Sequence, residues 1–224
     1  MDINKFLNVE CMEYMRSMPA KSVDLTLTDI PYGEVAQKTG GHPTFDHLDR
    51  LGTADEKTFN TLDFCKEVDR LTKNTIIIFC GYKQFSEIIS YFKAQKGTTR
   101  VLVWEKTNPV PSNGQYVYLN GVELAVWFKR SGAKTFNAYC KNTVFRYPIP
   151  GGKKRIHKTQ KHWDLWKELM LDNSNEGDLV FDPCAGSGVT AYTAKENNRN
   201  FLCLELDKET FDISEEYLKT KNII

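Results

Sequence analysis

Apolar positions along the chain fall into short blocks of two kinds. Residues 23–28, 75–80, 100–104, 122–128, 178–182 and 201–205 are compact runs rich in Val, Ile, Leu and Phe, the mark of strands buried on both faces. Between several of them, apolar residues recur at helical spacing, over 11–17 (ended by Pro19), 55–71, 83–93, 161–171 and 189–198. A short strand over 5–8 precedes the series. Helix alternating with buried strand predicts an α/β chain built on a doubly wound, mostly parallel sheet. Two stretches break the rhythm. Residues 33–52 show no period and read as a polar loop, and residues 129–156 turn to Lys, Arg, Gly, Pro, Asn, Tyr and Phe, which predicts an irregular excursion on the surface of the sheet.

At 224 residues, 41% of them hydrophobic, the chain can bury one sizeable core, so a single domain over 1–224 is expected. Thirty basic residues balance 29 acidic ones, and the net charge neither demands nor excludes a polyanionic partner; local clustering has to decide. Cys11, Cys65, Cys80, Cys140, Cys184 and Cys203 show no paired metal-type spacing and are expected as reduced thiols. His42, Asp46, His47 and Asp49 gather in the polar loop without helical or hairpin spacing, so no metal is expected. The first residues lack the apolar core of a signal peptide and no apolar run approaches a membrane span, which gives a cytoplasmic expectation.

Two constellations carry chemistry. Asp29-Ile30-Pro31-Tyr32 stands at the end of the second expected strand. A carboxylate, a main-chain carbonyl fixed by a proline-stiffened turn and an aromatic ring then share one place, which suits a flat ligand bearing an amino group. The plain alternative is an ordinary strand-ending turn. Farther on, a strand ending in Asp182, the turn Pro183-Cys184-Ala185-Gly186-Ser187-Gly188, a helix, and a strand ending in Glu205 form a nucleotide-type βαβ unit. Its glycines let backbone approach a ligand, and its terminal acid can bond a ribose diol.

Together, Asp29 to Tyr32 and Phe181 to Gly188 resemble the S-adenosylmethionine-dependent amino-methyltransferases of DNA. The catalytic motif precedes the cofactor motif, as in the permuted β group typified by adenine-N6 members. Ser22-Val23-Asp24, Trp104-Glu105-Lys106, Glu123 and His157-Lys158-Thr159-Gln160-Lys161 extend the likeness over most of the chain. The resemblance implies a Rossmann-like methyltransferase sheet with permuted motif order. It makes Asp29, Ile30 (through its carbonyl), Pro31 and Tyr32 catalytic. Asp29 is also counted with the cofactor set, in which Glu10 approaches the adenine and Glu205 the ribose. Asp182, Pro183, Ala185, Gly186, Ser187 and Gly188, helped by Thr159 and Lys161, line the methionine end.

Residues 129–156 find no counterpart, and the family keeps its variable target-recognition region there. Lys129, Arg130, Lys153, Lys154, Arg155 and Lys158, interleaved with Phe136, Tyr139, Phe145 and Tyr147, are accordingly expected to meet double-stranded DNA rather than form a merely solvated basic face. The implied reaction is sequence-specific methylation of the N6 amino group of a flipped adenine. Cytosine N4 is the nearest alternative; an RNA substrate and a catalytically silent nucleic-acid-binding module are others. Asp rather than Ser at the head of the motif favours adenine. A homodimer is implied by the β-group likeness. The chain departs from the family at Ile30, where a proline is usual, at Lys158 and His162, also proline positions, and at Glu10, which replaces an aspartate.

Overall fold

In the computed structural model, residues 3–32, 59–111, 114–151 and 160–224 are described. They form strands β1 (Lys5–Asn8), β2 (Val23–Asp29), β3 (Thr72–Cys80), β4 (Gly97–Lys106), β5 (Val122–Arg130), β6 (Val144–Tyr147), β7 (Leu179–Asp182) and β8 (Asn200–Glu205). The helices are α1 (Cys11–Ser17), α2 (Thr61–Leu71), α3 (Tyr82–Lys93), α4 (Trp163–Asn173), α5 (Val189–Glu196) and α6 (Lys208–Thr220). All eight strands lie in one sheet, in the order β1-β8-β7-β2-β3-β5-β4-β6. Pairing is parallel from β1 through β3, and β5 alone runs against both its neighbours.

Side chains alternate across the strands, so the sheet has two apolar faces. On β3, Ile77 and Phe79 join one core with Trp166, Leu169 and Val189 from α4 and α5. Ile76, Ile78 and Cys80 join the other, with Met15, Phe64, Val68, Ile88 and Phe92 from α1, α2 and α3. Helices therefore cover both faces, the arrangement that a doubly wound sheet requires. Among the described residues no helix is long and apolar enough to cross a membrane.

Two expectations need correction and a third gains a direction. The helix expected over 55–71 begins at Thr61, because Asn60 caps it by accepting the Asp63 N–H at 3.0 Å. The mostly parallel sheet expected leaves the direction of the 122–128 strand open. That strand follows β4 with no helix between, and so returns antiparallel. The expected excursion over 129–156 is only partly irregular: Lys129 and Arg130 complete β5, and residues 144–147 form β6, which extends the sheet beside β4. Phe145 is buried there, and the Trp104 indole N–H donates to the Tyr147 carbonyl at 2.9 Å.

Candidate active site

The chain leaves β7 towards β8 on one side and β2 towards β3 on the other, so the order of the strands reverses between β7 and β2. The carboxyl ends of strands flanking such a switch diverge and open a crevice. Asp182 ends β7 and Asp29 ends β2. Thr28 links them directly, its hydroxyl donating to Asp182 Oδ1 at 2.8 Å. Two motifs more than 150 residues apart in sequence thus become neighbours.

The Asp29 turn is pinned from β3 and α3. Ile30, 1% exposed, donates its N–H to the Phe79 carbonyl at 3.1 Å. Gln84 donates its side-chain amide to the Pro31 carbonyl at 2.9 Å and accepts the Gly81 N–H at 3.1 Å. The Ile30 carbonyl itself meets no donor among the described residues. Asp29 Oδ1 is likewise buried and without a partner among them. Among the described residues, two acceptors from adjacent positions are therefore without a partner at the end of β2.

The other Asp29 oxygen is engaged. Lys161 Nζ lies 2.6 Å from Asp29 Oδ2, 2.7 Å from Glu123 Oε2 and 3.3 Å from the Tyr32 hydroxyl, and its side chain is 5% exposed. Glu123 is the second residue of β5, and the reversed course of that strand brings it to the same edge as Asp29. Its second oxygen takes Lys106 at 2.9 Å, and the Tyr32 hydroxyl donates to Oε2 at 3.2 Å. Burial pushes the Asp29 carboxyl up against the pull of Lys161, with Glu123 adding to the rise. Burial would raise Glu123 too, but Lys161 and Lys106 overcome it and hold that carboxyl at about 2. Burial tends to lower Lys161, and the two carboxylates raise it above an ordinary lysine. Burial, with Asp29 and Glu123 nearby, lifts the Tyr32 hydroxyl well above its usual value, so it stays protonated.

Across the crevice the βαβ turn is built for close approach. Gly186 and Gly188 have φ of +50° and +72°, a region that side-chain-bearing residues rarely adopt. A Cβ on Gly186 would stand in open space, with nothing within 4 Å. One on Gly188 would meet Leu218 of α6 at 2.9 Å. Glu205, ending β8, accepts the Gly186 N–H and the Asp207 N–H, each at 2.8 Å. Asp182 is 2% exposed and turned inward: Thr28 and the Cys184 N–H bond Oδ1, and the Thr190 hydroxyl bonds Oδ2. Burial raises its carboxyl to about 7 in spite of these donors.

The sequence profile of the N6/N4 DNA methylase family matches residues 23–216. The chain belongs to that family. It is 28% identical to the type II methyltransferase M.HinfI of Haemophilus influenzae over 97% of this chain and 70% of that one. The crystal structure of M1.HpyAVI in complex with SAM superposes with a TM-score of 0.74 at 25% identity, covering 96% of this chain and 98% of the other. The cytosine-N4-specific PvuII methyltransferase shares the fold, with a TM-score of 0.74 at 16% identity over 98% and 90% of the two chains.

For this DNA methylase, the residues expected from sequence sort into three groups. Asp29, Ile30, Pro31 and Tyr32 stand together, and the turn from Asp182 through Pro183, Ala185, Gly186 and Ser187 to Gly188 adjoins them, with Glu205 beside it. Others have different partners from those expected. Lys161, expected at the methionine end, has its ammonium between Asp29 and Glu123. Asp182 gives both its oxygens to protein donors. Glu10 caps α1, accepting the Met12 and Glu13 N–H groups at 2.9 and 2.6 Å; because Val9 bonds the Glu205 carbonyl at 3.2 Å, it does so next to the end of β8.

Lys129 and Arg130 fall outside the site altogether. In the register of β3, Lys129 pairs with Thr75 while Asp29 pairs with Phe79, a separation of four residues or about 13 Å towards the opposite edge. Arg130 is spent there on Asp69, and it also bonds the Thr72 carbonyl at 3.3 Å. Thr159, Lys153, Lys154, Arg155 and Lys158, like the histidines and aspartates of the 33–52 loop, lie outside the described residues. Sequence reasoning named Glu123 and Lys106 only as points of likeness and passed over Gln84. A lone Glu second in an apolar strand was the available signal.

Proposed function

We propose that this methyltransferase acts on the N6 amino group of an adenine flipped out of double-stranded DNA, in a defined sequence context. The observation that carries the reading is the pair of open acceptors, Asp29 Oδ1 and the Ile30 carbonyl, on a turn pinned by Phe79 and Gln84. The amino nitrogen of adenine is a poor nucleophile because its lone pair is delocalised into the ring. Two acceptors taking its two N–H groups favour a tetrahedral nitrogen and free that pair, with the charged acceptor supplying the stronger bond. Ile in place of the usual proline leaves this carbonyl available. Tyr32, neutral and next to the turn, offers its ring to the base. No covalent intermediate with the chain is needed, and orientation supplies most of the rate.

The cofactor is S-adenosylmethionine, which when bound supplies an electrophilic methyl on sulfur. The residues present fit it. The open space above Gly186 admits a ligand close to backbone, and Glu205 stands where a ribose diol can be bonded. Glu10 and the Ala185 to Gly188 turn would hold the remaining parts, while Asp182 fixes the turn from behind. A base flipped from the duplex costs a few kcal/mol, which stacking and the two acceptors offset. Lys153, Lys154, Arg155 and Lys158 are the phosphate contacts we propose.

Cytosine N4 offers the same two N–H groups on a conjugated ring and would suit the same acceptors. Aspartate at the head of the motif favours adenine. Incubation of the protein with DNA and labelled cofactor, followed by mass analysis of the released nucleosides, tests the choice. N6-methyladenine is the expected product. N4-methylcytosine would move the reading to the second base, and unlabelled DNA would overturn both.

A further inference from the structure

The Lys161 ammonium is the most completely enclosed cation at the site, and its geometry is out of keeping with the cofactor contact that its sequence position suggests. An ammonium has three N–H donors. Here one lies on Asp29 Oδ2 at 2.6 Å, one on Glu123 Oε2 at 2.7 Å and one on the Tyr32 hydroxyl at 3.3 Å. None is left for a ligand. The same arrangement explains the asymmetry of Asp29, whose Oδ2 is held and whose Oδ1 is buried without a partner among the described residues.

We infer that Lys161 is the positioning residue of the catalytic carboxylate: it fixes the rotation of Asp29 so that Oδ1 faces the incoming amine, and it keeps that carboxylate charged. Glu123 is the second jaw of the clamp, itself anchored by Lys106 at 2.9 Å. This inference rests on the reading that Asp29 receives the target amine. A carboxylate removed from water favours its proton, and a proton on Asp29 would turn the acceptor into a donor. Glu123 on β5 pushes in the same direction, while a hydrogen bond from Tyr32 works with Lys161 against the rise. Cys80 on β3 and Tyr32 on the turn are both held neutral by burial. Lys161 is the counter-charge in direct contact, and Lys106 acts through Glu123.

The test is the titration of Asp29 itself, followed by carbon NMR of aspartate-labelled full-length protein without DNA, the resonance being assigned with Asp29→Asn. In Lys161→Met the Asp29 carboxyl should titrate at least about one pH unit higher than in wild type. Glu123→Gln should move it the opposite way, by removing the neighbouring negative charge. Turnover at saturating DNA and cofactor should fall at least about tenfold in Lys161→Met at neutral pH, recover towards alkaline pH, and leave cofactor affinity within about twofold. A cofactor affinity that drops while saturated turnover holds would overturn the inference and return Lys161 to the cofactor. An Asp29 titration unmoved by either substitution would overturn it as well. Should Lys161→Met not fold, Lys161→Gln takes its place: it keeps a hydrogen-bond donor without the charge, and the clamp again requires the Asp29 carboxyl to titrate higher. Because the titration is read without substrate, a failure of the base assignment and a failure of the clamp give different results.

Discussion

Two buried aspartates end two adjacent strands, and they have opposite uses. Asp182 has every oxygen committed to protein donors from β2, the turn and α5. Asp29 has one oxygen on a lysine and one with no partner among the described residues. The first carboxylate has no positive counter-charge in contact among the described residues, and burial lifts it to about 7. The second also rises, because burial outweighs the pull of an ammonium at 2.6 Å that holds the rise in check. Desolvation is common to both, so the difference lies in the partner. A carboxyl satisfied by hydroxyls and amides can serve as structure whether or not it is charged. One that must accept from a substrate needs a cation to keep it an acceptor.

The comparison breaks most visibly in activity. Asp29→Ala removes an acceptor used in the transition state and should lower turnover at least a hundredfold, about 3 kcal/mol or more. It leaves Lys161 paired with Glu123, so the fold and cofactor affinity should hold; single-turnover kinetics beside calorimetry would show the split. Near-native turnover would remove Asp29 from the chemistry.

Asp182 should show itself in stability rather than rate. Its carboxyl binds a proton in the folded chain between pH 4 and about 7, where the unfolded chain has released it. Folded-state stability from this group is therefore complete below pH 4, declines as pH rises through about 7, and is level above. Wild type should lose on the order of 4 kcal/mol across that window from this source at most. Asp182→Asn, which cannot titrate, should lack the decline, and denaturant midpoints at pH 5 and 8 would reveal it. Parallel pH dependence in both proteins would contradict the buried, raised carboxyl.

Glu205 sharpens the contrast as a third carboxylate, one whose oxygens already hold the Gly186 turn. Glu205→Ala should weaken cofactor binding by roughly tenfold, about 1.4 kcal/mol, with less effect on saturated turnover. Unchanged affinity by calorimetry would take the ribose contact away from β8. The smallest effect belongs to Lys129. At the opposite edge of the sheet, its change to Ala should leave DNA affinity and its salt slope unaltered, whereas a phosphate contact would reduce the slope by about 0.9. A measurable drop would place DNA on that edge after all.

Much of this was legible in the sequence, for physical reasons that differ element by element. Ile76 to Cys80 is apolar without alternation because both faces of β3 are covered, and that pattern survives in one dimension. The turns at Pro31 and Gly186 announce themselves because few residues permit such backbone. Strand direction leaves no such trace: β5 reads the same whichever way it runs, yet its reversal sends Glu123 to the site and Lys129 away from it. The edge strand β6 was hidden because a four-residue run with one buried side chain, Phe145, has too little period to stand out from basic neighbours. Lys161 was assigned by its place in a motif, while its role depends on Asp29 and Glu123, 132 and 38 residues away in the chain.

The last helix has a larger part than its distance from the motifs implies. Ser214 donates to the Gly186 carbonyl at 3.0 Å, and Leu218 fills the space beside Gly188. The cofactor turn and α6 therefore close on each other like a latch and its plate. Mass action then ties them together: a ligand that needs the closed turn also favours the docked helix. Amide hydrogens along α6 should exchange more slowly when cofactor is present, and trimming the chain before Ser214 should be felt as lost ligand affinity.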